Sequence, residues 1–233
     1  MKTKRISQAL LASAILLTSA WANMASAGPI ASRVALQTLL GGPGTVENFE
    51  AFSISAGSAT VVFCDTGATL NATSICEGQG PGLVNLGIAL NSSDDFQWNG
   101  AGFFGSPSKE FLSHGQRLII DFTSAVGAFG LDLRAFSGFG ATATMQVLGA
   151  DDTTVLGTIS GIVLGSGGLP VFAGWDDVGG IGRVSLTQTG QDSSPIIDNV
   201  EWGNNTAQVP EPSSLALLGL ALAGLAAKRR RKA

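Results

Sequence analysis

The fold is decided by residues 117–148, which read RLIIDFTSAVGAFGLDLRAFSGFGATATMQVL. Every second position is apolar in two parts of this stretch, namely at Phe129, Leu131 and Leu133 and at Ala143, Met145 and Val147. Such alternation is typical of a β-strand with one buried face, because successive side chains point to opposite sides. The stretch therefore predicts strands over residues 117–122, 126–133 and 142–148.

Short apolar segments punctuated by glycine continue through residues 28–208. Glycine makes up 30 of these 181 residues, about twice the typical ~7%. Short apolar segments predict six further strands, over residues 60–64, 83–90, 155–159, 170–173, 183–187 and 196–202. Residues 149–152 carry a hairpin signal, and only residues 32–40 are expected to form a brief helix. Strands without intervening helices predict an all-β fold, an antiparallel two-sheet sandwich that is jelly-roll-like.

The first 27 residues have the pattern of a secretory signal peptide. Three cations within residues 2–5 precede an apolar stretch over residues 9–17, and Ala25-Ser26-Ala27 supplies small residues for signal peptidase. Nine apolar residues span only ~14 Å as a helix, which is too short for a membrane. We therefore expect signal peptidase to process the chain near Gly28, and the mature protein to be exported.

The segment 209–233 combines three parts in order. Pro210, Glu211 and Pro212 lead into an apolar run over residues 215–227. Five basic residues follow, namely Lys228, Arg229, Arg230, Arg231 and Lys232. A helix of this apolar length reaches ~20 Å against ~30 Å of hydrocarbon, so we expect a short transmembrane helix that needs thinning or snorkelling. We expect the basic residues to stay on the inner side of the membrane and the folded domain to lie on the outer side.

This order of parts resembles the PEP-CTERM sorting signal of Gram-negative bacteria. The resemblance implies an exosortase, a membrane protease-like enzyme, that releases or transfers the exported protein after an inner-membrane-anchored stage. It also implies the cell surface or extracellular matrix as destination, with a link to extracellular polysaccharide and biofilm. The chain would then comprise a signal peptide (1–27), a β-sandwich domain (28–208) and a sorting signal (209–233).

Four short pieces of the central domain show a second similarity. They are FGLDL at 129–133, DD at 151–152, FAGW at 172–175 and IDNV at 197–200. Their arrangement is similar to that of exported, carbohydrate-binding-module-like β-sandwiches. The similarity implies the fold, and it makes a true carbohydrate-binding module one alternative function.

The charge of the chain argues against nucleic acid as a partner. Residues 28–208 hold five basic residues against sixteen carboxylates, which gives a formal net charge of −11, whereas the whole chain is at −4. A domain this acidic repels a phosphate backbone.

Cys64 and Cys76 are the two cysteines of the chain. An even number in an exported protein predicts a disulfide, and closing a loop of about thirteen residues would contribute roughly 3 kcal/mol. Two cysteines without further cysteine or histidine ligands cannot form a conventional zinc site, and their spacing is not that of a redox C-x-x-C pair. We therefore expect a structural disulfide.

An enzyme is difficult to build from these residues, and we expect none. His114 is the one histidine of the sequence, and no G-x-S-x-G motif accompanies it for a secreted hydrolase. We interpret it as a loop histidine before the strand at Arg117, and the base of a Ser-His-Asp triad is the alternative. Paired aspartates at 94–95, 151–152 and 176–177 are adjacent, so their side chains diverge in extended backbone; we interpret them as turn formers and solvated surface.

Asp198 is a candidate metal ligand. Alternation places it on the same strand face as Ile196, Val200 and Trp202, and a carboxylate that faces a core needs a partner or a proton. In the carbohydrate-binding-module-like sandwiches that the domain resembles, an acidic residue near each end of the domain often holds a structural calcium ion. The resemblance therefore implies a calcium site at Asp198 with Glu50, on the first candidate strand. The alternatives are that backbone amides or Arg183 satisfy Asp198, or that it meets water at the strand end.

Trp98 and Trp175 are candidate ligand-binding residues, because they lie in glycine-rich, loop-like segments and an exposed indole can stack on a sugar ring. Burial in the core is the alternative. Together these patterns predict a non-enzymatic, exosortase-sorted protein with a structural or binding role in a polysaccharide matrix.

Overall fold

The computed structural model describes residues 27–135, 141–164, 169–190 and 194–206. The predicted signal peptide, apart from Ala27, and the predicted sorting signal with its short transmembrane helix lie outside these ranges. Residues 27–206 form one compact unit. Within the described ranges, no helix has both the length and the apolar character needed to cross a membrane.

The described residues are mainly β-strand, so the all-β prediction is confirmed. The elements are β1 (Gly28–Ile30), α1 (Arg33–Leu40), β2 (Thr45–Glu47), β3 (Ala59–Val62), β4 (Thr69–Asn71), β5 (Ile88–Ser92), β6 (Phe96–Asn99), a 3-10 helix (Phe103–Gly105), β7 (Glu110–Ser113), β8 (Arg117–Arg134), β9 (Ala141–Gly149), β10 (Val155–Leu164), β11 (Val171–Gly190) and β12 (Ile196–Gly203).

All twelve described strands are hydrogen-bonded into one antiparallel sheet. Its main order is β10-β9-β11-β8-β12-β7-β6-β3, with β1 beside β11, β2 beside β12, and β4 joined through β5 to β8. The two-sheet sandwich stays a prediction. The strand pairing is continuous because β8 has 18 residues and β11 has 20, long enough for each to pair with different neighbours along its two halves.

The pairing of β8 shows how this continuity arises. Its first half, around Ile120, pairs with β5, and its second half, around Leu131, pairs with β12. Both halves pair with β11. The sequence predicts two strands, 117–122 and 126–133, and likewise divides β11, because the intervening residues resemble those of turns. In the structure these residues lie at register shifts within longer strands.

The predicted alternation sets the core. Phe129, Leu131 and Leu133 of β8 are buried, as are Ala143, Met145 and Val147 of β9. Burying a large apolar side chain contributes roughly 1.5–3 kcal/mol. The predicted helix is also confirmed: Ser32 caps α1 by accepting a hydrogen bond from the Ala35 amide at 3.2 Å. Its buried Leu36 packs with Ala128 on β8 in a second, smaller apolar cluster.

Candidate functional site

A disulfide holds one end of the sheet. Cys64 and Cys76 are bonded, with an S–S distance of 2.08 Å, as predicted. Flanking backbone bonds run from Asp65 N to Ile75 O at 2.9 Å and from Glu77 N to Phe63 O at 3.2 Å. The cysteines are thus a non-hydrogen-bonded antiparallel pair. We name residues 63–77 the disulfide hairpin; Phe63 and Ile75 are exposed on it.

A groove of about 340 Å³ lies along β3, beside the disulfide hairpin. Its lining combines hydroxyl, amide and carboxylate groups with apolar side chains, from Phe52, Ser53, Ile54, Ser55, Ser58, Ala59, Thr60, Val61, Val62, Glu77 and Gln79. Glu77 is the one titratable residue in that set. A nucleophile paired with a base is therefore not formed by the groove lining, whereas many hydrogen bonds to a neutral ligand can be.

The backbone of β3 adds to these polar groups. Among the described residues β3 pairs on one side, with β6. The amide of Gly100 donates to Ser58 O at 2.8 Å, so Ser58 belongs to a hydrogen-bonded pair. Alternation then turns the N–H and C=O of Ala59 and Val61 away from β6. We name this outward side, with the groove beside it, the β3 edge.

Asp198 is buried on β12, as its strand face predicted. Its Oδ2 accepts from the Ser108 hydroxyl at 2.5 Å and its Oδ1 from the Asn199 amide at 2.7 Å. Arg183 contacts Asp121 instead. Burial raises the pKa of Asp198 to about 6, against the opposing effect of these two hydrogen bonds.

Glu50, the second predicted calcium ligand, lies in a turn after β2 and not on a strand, which corrects the prediction of its position. It is half exposed, accepts from Lys109 N at 2.9 Å and lies 3.4 Å from Lys109 Nζ. The described ranges contain no group of three or more His, Cys, Asp or Glu side chains placed to hold a metal. Calcium stays a prediction from the sequence.

Two further buried carboxyl groups, those of Glu47 and Glu110, are influenced by the charge of Asp198, and the sequence analysis does not identify them. Glu47 accepts backbone bonds from Phe49 and Asn85, each at 2.6 Å. Glu110 lies 2.6 Å from the Arg134 guanidinium. Glu110 within the apolar segment EFLS was the available signal. We name Glu47, Glu110 and Asp198 the buried acid cluster.

Burial is the main influence on the acid cluster. It raises the pKa of Glu110 to about 7, although Arg134 acts in the opposite direction. Burial also raises the pKa of Glu47, and the charge of Asp198 contributes to both increases. The cluster is enclosed by the strands that carry it, which favours a structural role.

Trp98 and Trp175 both lie on strands, β6 and β11, and not in loops as predicted, and both are buried. The Trp98 ring stacks on Phe52, with centroids 4.7 Å apart, and its Nε1 donates to Phe49 O at 3.2 Å. Trp175 covers Gly157, where a Cβ would lie 2.1 Å from the indole. Both rings are thus packed in the core, which is the alternative interpretation of these two residues.

His114 is exposed, and its Nε2 lies 2.7 Å from Gln97 Oε1, so its ring contacts an amide. Asp151 does form the predicted turn: it accepts from the amides of Thr153 and Thr154 at 3.0 and 2.8 Å. Asp176 and Asp177 instead lie within β11, at its register shift, which corrects their assignment to a turn.

Comparison with known proteins concerns mainly the segment beyond the described residues. A family described as the PEP-CTERM protein-sorting motif matches residues 208–231. No curated protein matches the chain. The K2 cleaved adhesin domain of Lys-gingipain is a similar solved structure, with a TM-score of 0.32 and 14% identity over 68% of this chain and 98% of that domain. The chain thus carries a PEP-CTERM sorting motif, which implies an exported protein that an exosortase sorts.

Proposed function

We propose that the protein is a non-enzymatic component of a cell-surface or extracellular polysaccharide matrix. The sorting motif at residues 208–231 is the observation that carries this proposal. Export through a signal peptide, an inner-membrane-anchored stage and exosortase action near Pro210-Glu211-Pro212 would deliver the domain outside the cell. The disulfide supports this route, since an oxidising compartment permits it.

The domain itself is suited to a lasting structural role. One apolar core joins strands from both ends of the sheet, including Val62 of β3 and Leu164 of β10. We propose that the continuous sheet folds over this core as a jelly-roll-like sandwich, with β8 and β11 passing between its layers. Such a body would display β3 and β10, the two ends of the main strand order, to the matrix.

Carbohydrate binding is the second candidate function, and the β3 edge favours it. Hydroxyl and amide groups line this groove, beside peptide groups of β3 that face away from β6, and a neutral polysaccharide offers the complementary donors and acceptors. The acidic domain would not repel an uncharged glycan. Because the two candidate tryptophans are buried, recognition would depend on hydrogen bonds more than on ring stacking.

The sorting proposal is tested by the intact mass of the surface-exposed protein, in cells with and without the exosortase. We expect loss of residues C-terminal to the motif only where the exosortase is present. Replacing Pro210 and Pro212 by alanine should prevent processing, because proline keeps the motif extended. The matched control replaces two exposed loop prolines, Pro81 and Pro107. Retention of residues 215–233 in both strains would contradict the proposal.

The binding proposal is tested separately, by calorimetric titration of the mature protein with purified matrix polysaccharide. Ser55→Ala and Gln79→Ala remove hydrogen-bonding groups from the groove, and each should weaken binding by roughly tenfold if its bond goes to the glycan. Ser124→Ala, an exposed serine on β8, is the control. Equal affinity in all variants would exclude the β3 edge as the binding site.

A further inference from the structure

The other end of the sheet carries a different kind of edge. β10 ends the main strand order and, within the described residues, pairs with β9 alone. It has ten residues, VLGTISGIVL, with no charge and no proline. Natural edge strands are normally short, charged or interrupted by proline, because a free row of N–H and C=O groups attracts another strand. β10 lacks those three protections.

Apolar side chains accompany this free backbone. Val155 is 52% exposed, Val163 is 74% exposed, and Leu169, which follows the strand, is 78% exposed. Ile159 and Ile162 pack against the core, so the strand is anchored, and none of the described strands pairs with its outer side. Two irregularities are present: the register shifts between Val155 and Gly157, and again between Ile159 and Ile162, where Gly161 has a φ of +72°. Residues 157–159 and 162–164 keep a regular pairing with β9.

We propose that β10 pairs antiparallel with β10 of a second copy of this chain. The sequence VLGTISGIVL can meet itself around a two-fold axis, since it brings no like charges into opposition. Two domains of formal charge −11 repel each other over most of their surface. Contact between two copies is therefore favoured at an uncharged part of the surface, such as β10.

The position of the acidic hairpin fixes the direction of pairing. Asp151 and Asp152 lie in the turn before β10. In an antiparallel dimer these turns lie at opposite ends of the interface, roughly 30 Å apart for a ten-residue strand, beyond the ~8 Å screening length at physiological salt. Parallel pairing would place the two turns side by side.

A second copy is also the occupant that the strand's chemistry fits. β10 offers no cation for an acidic polymer and no carboxylate for a basic one. It offers peptide groups and valine side chains, which the same strand of a second copy matches. The inference is independent of the sorting motif and of the β3 edge.

Analytical ultracentrifugation of the mature protein tests the proposal. We expect a monomer–dimer equilibrium. Thr158→Lys places a cation at an exposed position of β10 and should raise the dimer Kd by roughly tenfold or more. Gln146→Lys is the matched control, because Gln146 is exposed on β9 directly opposite Thr158. It adds the same charge one strand inward and should change the dimer Kd by less than about threefold.

A second variant keeps the test independent of folding defects. Thr158→Cys, close to the proposed two-fold axis, should form an intermolecular disulfide under oxidising conditions, whereas Gln146→Cys should not. A melting temperature close to that of the parent protein shows that each variant is folded. A monomer at about 100 μM, equal effects of both lysines, or no preference of cross-linking for Thr158→Cys would overturn the proposal.

Discussion

The two end strands of the main strand order, β3 and β10, differ in length and in the groups that lie beside them. At one end β3 has four residues, lies beside the disulfide hairpin and borders a polar groove. At the other end β10 has ten residues, no charge and no covering segment among the described residues. A continuous sheet must solve the same hydrogen-bonding problem at both edges. The β3 edge is therefore suited to a polar ligand and the β10 edge to a second strand.

The largest difference should appear in stability. Trp98→Ala removes a fully buried indole beside β3 and should lower the free energy of unfolding by roughly 3–5 kcal/mol. Val163→Ala, at an exposed site on β10, should change it by less than about 0.5 kcal/mol. Urea denaturation followed by circular dichroism measures both. A loss below about 1 kcal/mol for Trp98→Ala would mean that the aromatic core does not hold the β3 end.

The disulfide should have the next largest effect, and it should act on one end only. Replacing Cys64 and Cys76 together by serine should lower the free energy of unfolding by about 3 kcal/mol, because the unfolded chain regains the loop entropy. Self-association through β10 should not change. Denaturation and sedimentation of the same sample check both statements. A change in the dimer Kd comparable to that of Thr158→Lys would remove the distinction between the edges.

The limits of sequence analysis follow the same division. Alternation is local, so the buried faces around Leu131 and Met145 could be predicted, as could the disulfide from an even cysteine count in an exported chain. Strand continuity is not local. Residues 123–125 and the glycines near Ile181 resemble turns, yet pairing with distant strands turns them into register shifts within β8 and β11.

The candidate sites show the same limit. Burial of Glu110 depends on Arg134, which lies on another strand, and no spacing in the sequence reports that contact. The glycines after Trp98 favour a loop in the sequence, but Trp98 lies on β6 and pairs with Phe111 of β7. The sequence does not indicate the groove, because the groove forms only where folding brings residues 52–62 beside residues 77–79.

The buried acid cluster predicts a pH dependence that neither edge shares. Asp198 titrates near pH 6 when folded and 3.8 in its ordinary state, and Glu110 near pH 7 against 4.5, because burial raises each pKa. The protonated forms are thus favoured in the folded state. Their stabilisation is complete below about pH 4 and is lost as pH rises towards about 7, by up to roughly 2–3 kcal/mol per group.

Chemical denaturation across this pH range checks the prediction. Asp198→Asn should flatten the fall in unfolding free energy between about pH 4 and 6, since the amide does not titrate. Asp94→Asn replaces an exposed aspartate outside the cluster and should leave the slope unchanged. An unfolding free energy that rises with pH over this range would contradict the assignment.

We propose that β3 and β10, at the two ends of the main strand order, serve two different contacts. Hydrogen–deuterium exchange of the mature protein tests this proposal most directly. Raising the protein concentration should protect amides of residues 155–164 and leave those of residues 59–62 unchanged. Adding matrix polysaccharide at low protein concentration should protect amides of residues 59–62 and leave those of residues 155–164 unchanged. Protection of both strands by either treatment, or of neither strand by both, would contradict the account.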